Sequence, residues 1–167
     1  MTKIPIWQVW TIAVRLPTLL IPTIQVITGT GVAYATSNHI DWFIALAAWL
    51  VAVLITIGTN LINDAIDFEK GGDTLKHPEQ LKVIRAGLLT HRQLFMAGLL
   101  AFALACSIPF ALEIDRLACF GLVLLSALCG YCYTGGPYPI SYSGLSELFI
   151  FIFYGGVCVI VPFYAQT

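Results

Sequence analysis

Charge is scarce in this chain. Asp, Glu, Lys and Arg make up 10% of its 167 residues, where a soluble domain carries roughly 25%. That excludes an ordinary water-soluble domain. A formal net charge of −1 and the lack of a cationic stripe exclude nucleic acid as a partner. Cysteines are few and fall in the wrong places for a redox or metal motif. Cys106, Cys119, Cys129, Cys132 and Cys158 all lie in apolar segments. Cys129-Gly-Tyr-Cys132 has the CxxC spacing, but without the βαβ setting of a redox motif, so these residues read as small apolar packing groups. No internal repeat, low-complexity tract or soluble domain interrupts the chain. Residues 1–167 therefore read as a single membrane domain.

What is abundant is apolar surface: 59% hydrophobic residues and a mean hydropathy of +0.88. Leu16–Ala35, Trp42–Asn63, Gln93–Leu112, Leu117–Ser146 and Leu148–Thr167 contain no Asp, Glu, Lys or Arg. A spanning helix needs about 20 apolar residues, so each can cross a bilayer once. The fourth stretch ends in the turn-rich Thr134-Gly-Gly-Pro-Tyr-Pro-Ile-Ser-Tyr-Ser-Gly, which predicts a helix end near Tyr133 and a loop beyond it. The expectation is an all-α integral membrane protein with about five transmembrane helices. The first apolar segment is too long and too rich in Pro and Thr for a signal-peptide core, so no cleavage is expected.

Alternating crossings put the N-terminus and the 64–92 and 134–147 loops on one side. Lys3, Arg15, Lys70, Lys76, Lys82, Arg85 and Arg92 fall there, and only Arg116 falls opposite. This bias predicts a cytoplasmic 64–92 loop and a cytoplasmic N-terminus. The 64–92 loop mixes acids and bases over a length typical of a lid or binding loop.

The sharpest chemical signal opens that loop: Asn60-Leu-Ile-Asn63-Asp64-Ala-Ile-Asp67-Phe-Glu69-Lys70-Gly-Gly-Asp73. Asn60, Asp64 and Asp67 are spaced i, i+4, i+7, and Asn63 pairs with Asp67, so on a helix all four share one face. Oxygen ligands gathered at the end of a membrane helix are costly unless something binds them. A hard divalent cation such as Mg2+ suits them, and it binds through one or two carboxylates plus substrate phosphates. With a diphosphate ester as substrate, metal held by Asp64 and Asp67 would neutralise the leaving group. Asn60 and Asn63 would add contacts, and Lys82 and Arg85 would clamp phosphate from the loop. Tyr131, Tyr133 and Phe153 are candidate aromatic faces for an allylic cation. The competing reading is a polar clasp, in which Asn and Asp bond neighbouring helices. A cation transporter is disfavoured, because no second polar helix answers the first.

These residues resemble the first aspartate-rich motif of the UbiA-type intramembrane prenyltransferases. The string Gly58–Thr74 looks most like the menaquinone branch, the 1,4-dihydroxy-2-naphthoate polyprenyltransferases. Arg15-Leu-Pro-Thr18 with Pro22 and Gly29-Thr30, Lys82-x-x-x-x-Gly87, and the Tyr133–Glu147 loop are similar to further segments of that branch. The resemblance implies Mg2+ on Asp64 and Asp67, a motif completed by Asn63 and Asp73, and diphosphate contact by Lys82. It implies transfer of a polyprenyl group from a polyprenyl diphosphate to an aromatic acceptor, in a bacterial inner membrane. It also implies about nine helices and a second aspartate-rich motif on a later helix. After Asp73 the only acids here are Glu79, Glu113, Asp115 and Glu147, so the expectation is the N-terminal half of such a bundle. A chain ending at Thr167 without a polar tail is expected of a partial, split or decayed copy. The alternative function is thus a non-catalytic remnant or a half-subunit needing a second chain.

Overall fold

The computed structural model describes residues 5–70, 83–112 and 116–167, and these are helical with no strand among them. Helix α1 (Ile6–Val14) leads through a 3-10 turn (Leu16–Leu19) into α2 (Leu20–Ser37). Next come α3 (Trp42–Glu69), α4 (His91–Ser107), a 3-10 turn (Ile108–Ala111) and α5 (Arg116–Cys132). The last span, Ser146–Gln166, is α6 (Ser146–Ile150), a π-helical stretch (Phe151–Val157) and α7 (Cys158–Gln166) in series.

Local chemistry sets these boundaries. Asp41 caps α3 by accepting from the backbone N–H of Phe43 at 2.8 Å and of Ile44 at 3.1 Å. Thr90 and Gln93 form a reciprocal capping box at the start of α4, which satisfies donors that an apolar environment would leave orphaned. Asn38, at φ 57°, closes α2 in the left-handed conformation that asparagine tolerates.

Among the described residues, four helical segments are long and apolar enough to cross a membrane: Leu16–Ser37, Trp42–Glu69, His91–Ala111 and Ser146–Gln166. The fourth expected span is instead the shorter apolar helix Leu117–Cys132, ending one residue before the position the turn signals predict. Large side chains such as Trp42, Leu117 and Phe151 stay outward, at 75%, 81% and 74% exposure, as lipid-facing residues do. The fold is an all-α, multi-pass membrane protein. Sequence reading did not anticipate α1, whose run before Arg15 is too short to announce itself as a span.

Helix α3 is the centre of the bundle and packs against α1, α2, α4, α5 and α7. Its 28 residues extend about 42 Å at 1.5 Å per residue, against a hydrocarbon core of about 30 Å. The final turns therefore reach beyond the apolar zone, and those turns carry the Asn/Asp motif. Close helix crossings depend on missing side chains. A Cβ on Gly58 would lie 2.5 Å from the Phe102 ring of α4, and one on Gly29 would lie 2.3 Å from the carbonyl of Val159 on α7. At the motif end, Val9 and Ala13 of α1 pack into one core with Leu61, Ala65, Val83, Leu89 and Leu94. That core seats α1 across the end of α3.

Candidate active site

Asn60, Asn63, Asp64 and Asp67 all lie on the last turns of α3, as their spacing requires, but their partners divide them into two pairs. Asn60 and Asp64 face the first helical segments. The Asn60 amide donates to the Thr18 hydroxyl at 2.9 Å and to the Val14 carbonyl at 3.3 Å. Asp64 is buried and accepts from the Arg15 guanidinium, forming an ion pair. Arg15 reaches it because it ends α1 in the left-handed conformation, at φ 57°. A non-glycine residue there costs of order 1 kcal/mol and marks a position held by its surroundings. Pro17 follows in the next turn.

Asn63 and Asp67 face the loop after α5. Thr134 donates its hydroxyl to the Asn63 carbonyl oxygen. Tyr142 donates to Asp67 at 2.7 Å. Lys70 donates to the Thr134 carbonyl at 2.9 Å and sits 6.0 Å from the centre of the Tyr142 ring. The Asp67 carboxylate, as hydrogen-bond acceptor, pushes the Tyr142 phenol up to about 12, with burial adding to the rise. Tyr142 therefore keeps its proton, and its donor role, throughout the neutral range.

An apolar cavity of about 410 Å³ opens between the helices. Arg15, Thr18, Asn60 and Asn63 line one end, and residues down α3 as far as Ile44 line the rest, with Pro162 and Ala165 opposite. Tyr133, Phe149, Phe153 and Tyr154 add aromatic faces. Phe149 stacks on Phe153 with centroids 4.4 Å apart, and Tyr133 lies 5.8 Å from Phe149. Tyr133 and Phe153 thus stand where an apolar chain would pass. Tyr131 does not, since it packs on the core of Ile62, Ile66, Phe102 and Ala127.

Asp64 and Asp67 do not line this cavity, and Arg15, which does, pairs with Asp64. Arg85 is exposed in the turn before Gly87 and is not among the lining residues. Asp73 and Lys82 lie outside the described residues. Among the described residues, no three of His, Cys, Asp and Glu converge as a ready metal cluster. The donor set still suits Mg2+. Two carboxylates and two amides supply hard oxygen atoms on one helix end, and Mg2+ takes its other ligands from water and phosphate. Sequence reading missed Thr18, Lys70, Thr134 and Tyr142. Lys70 stood in the Asn60–Asp73 string and the other three in segments that resemble the family, but none had been given a site role.

The architecture defines a helical membrane protein with an apolar cavity that carries polar side chains at one end. The UbiA prenyltransferase family matches residues 24–167, and the chain belongs to that family. It is 32% identical over 161 residues to a 1,4-dihydroxy-2-naphthoate octaprenyltransferase of Mycobacterium tuberculosis, covering 95% of this chain and 54% of that protein. The enzyme of that name from Escherichia coli is 31% identical over 167 residues, covering 96% and 54%. A 2-carboxy-1,4-naphthoquinone phytyltransferase of Synechocystis is 23% identical over 163 residues, covering 96% and 52%. The chain spans about half the length of these relatives. No solved structure matches it at a significant level.

Proposed function

We propose that this protein takes part in Mg2+-dependent transfer of a polyprenyl group from a polyprenyl diphosphate to an aromatic acceptor. The acceptor in this proposal is 1,4-dihydroxy-2-naphthoate and the pathway menaquinone biosynthesis, a reading supported by the names of two relatives. The observation that carries this reading is the junction of the Asn60/Asn63 mouth with an apolar cavity, because a prenyl diphosphate has the same polarity profile.

In this reading Asp64 and Asp67 are the metal ligands and Asn60 and Asn63 contact diphosphate oxygens. Asp73 completes the aspartate-rich motif, and Lys82 and Arg85 contact the anion from the 64–92 loop. A bound divalent cation would supply Lewis-acid neutralisation of the departing diphosphate. The protein's own residues bind and orient the donor: the cavity walls fix the tail, and the amides fix the head at the helix end. Tyr133, Phe149 and Phe153 present ring faces to positive charge developing at the allylic carbon, and the apolar walls keep water from it. The protein sits in a bacterial inner membrane with its N-terminus and the 64–92 loop in the cytoplasm, consistent with seven of the eight basic residues falling on that side.

In a second reading these residues bind the donor, and transfer needs groups that they do not supply. The test is product formation from octaprenyl diphosphate and 1,4-dihydroxy-2-naphthoate in membranes containing the protein, with Mg2+ or with chelator. Metal-dependent prenylated product supports transfer by this chain. Donor binding without product supports the second reading, and neither binding nor product refutes both.

A further inference from the structure

Asp64 and Asp67 are each already held, and each holder comes from another part of the chain. Asp64 is 7% exposed and bears the Arg15 guanidinium on one oxygen. Asp67 bears the Tyr142 hydroxyl at 2.7 Å. A carboxylate as buried as Asp64 pays a desolvation cost unless something compensates it, and the half-buried Asp67 pays less. A guanidinium supplies a full positive charge and a phenol supplies a directed donor. These are what a divalent cation would supply to the same oxygens.

We propose that Arg15 and Tyr142 are internal stand-ins for the cation: they hold Asp64 and Asp67 while no metal is present and give way when metal binds. This rests on the reading of Asp64 and Asp67 as metal ligands. It also reconciles that reading with the polar clasp, which becomes the metal-free state of the same residues. The geometry sets what release does. Arg15 already lines the polar end of the cavity, so on leaving Asp64 it turns its donors to an anion held there. Tyr142 sits in the loop that Thr134 also ties to α3, through Asn63 and Lys70, so its release removes one of that loop's ties to α3.

The alternative is that both residues stay in place behind the loaded carboxylates and orient them. The two ideas predict opposite signs. Partners that support metal ligands raise metal affinity, and their loss typically weakens it by 10- to 100-fold. Stand-ins compete with metal, so their loss tightens it.

The experiment is Mn2+ binding to the purified protein in nanodiscs, read by electron paramagnetic resonance without prenyl substrate. Wild type is compared with Arg15→Gln, Tyr142→Phe and Asp64→Asn. Removing a charge-assisted hydrogen bond predicts that Tyr142→Phe binds Mn2+ roughly tenfold more tightly. Arg15→Gln gains at least as much, because a nearby positive charge is also removed. Unchanged or weaker binding in Tyr142→Phe overturns the proposal and leaves the metal reading intact. If Arg15→Gln does not insert, Tyr142→Phe decides alone, since it keeps the ring and loses one hydroxyl. Asp64→Asn should lose Mn2+. If it binds like wild type, the metal assignment itself fails.

Discussion

Blocking the cavity should shorten the prenyl chains that the protein accepts. The cavity follows α3 from Asn63 at the polar mouth to Ile44, about 28 Å at 1.5 Å per residue. Ala52 and Ala48 line it on the way, about 16 Å and 22 Å from Asn63 on the same rise. A phenylalanine at either position puts a ring across the path. The penalty is not the full transfer of apolar surface to water, because a displaced tail finds lipid, which is as apolar as the cavity. What remains is lost packing and crowding, about 1–3 kcal/mol, or about 5- to 150-fold in affinity. Ala52→Phe should therefore weaken octaprenyl diphosphate by that factor and spare geranyl diphosphate. Ala48→Phe should spare donors of intermediate length as well. Competition binding with donors of graded length in nanodiscs measures this. An unchanged length profile in both variants, or equal losses for short and long donors, would refute the placement of the tail.

Other outcomes follow from the same geometry. Asp64→Asn and Asp67→Asn should each reduce prenyl transfer by about a hundredfold or more, the scale of lost metal-based charge stabilisation, while the protein still inserts; membrane assays with quantified protein check this. Chelation should abolish transfer and added Mg2+ should restore it, read as product by mass spectrometry. Gly58→Ala forces a methyl into the Phe102 ring and should destabilise the α3–α4 crossing by about 1–3 kcal/mol, seen as a lower melting temperature in detergent. Tyr142, with its phenol raised to about 12 by Asp67, should be un-ionised at pH 10 where a free tyrosine is half ionised. Because the folded value is raised, the Tyr142–Asp67 contact is present at and below pH 10 and is lost as pH rises through 12. Tyr142→Phe should take one tyrosine out of the late component of the ultraviolet phenolate titration.

The apolar runs carried the spans in plain view, because each crossing must hide its backbone within a helix and show apolar side chains to lipid. The end of α5 was legible too, since Thr134-Gly-Gly-Pro cannot continue a helix. Helix α1 was not: nine residues with a charged edge at Arg15 give no spanning signal, and its place depends on a core shared with Val83 and Leu89. The Asn/Asp face was readable from helical spacing alone. Its division into pairs was not, because the partners Thr18, Arg15, Thr134 and Tyr142 lie between 42 and 75 residues away along the chain. Tyr131 shows the limit of residue type without direction. It sits two positions from Tyr133 on the same segment yet points into the α3–α4–α5 core, since neighbours two apart on a helix face different ways.

The central claim is that the Asn/Asp end of α3 and the cavity beside it form one binding site for a prenyl diphosphate and its cation. Equilibrium binding of radiolabelled octaprenyl diphosphate to the protein in nanodiscs, with Mg2+ or with chelator, tests it most directly. The account predicts saturable binding that needs Mg2+ and is lost in the Asp64→Asn, Asp67→Asn double variant. Binding that is indifferent to both the metal and the two carboxylates would contradict it.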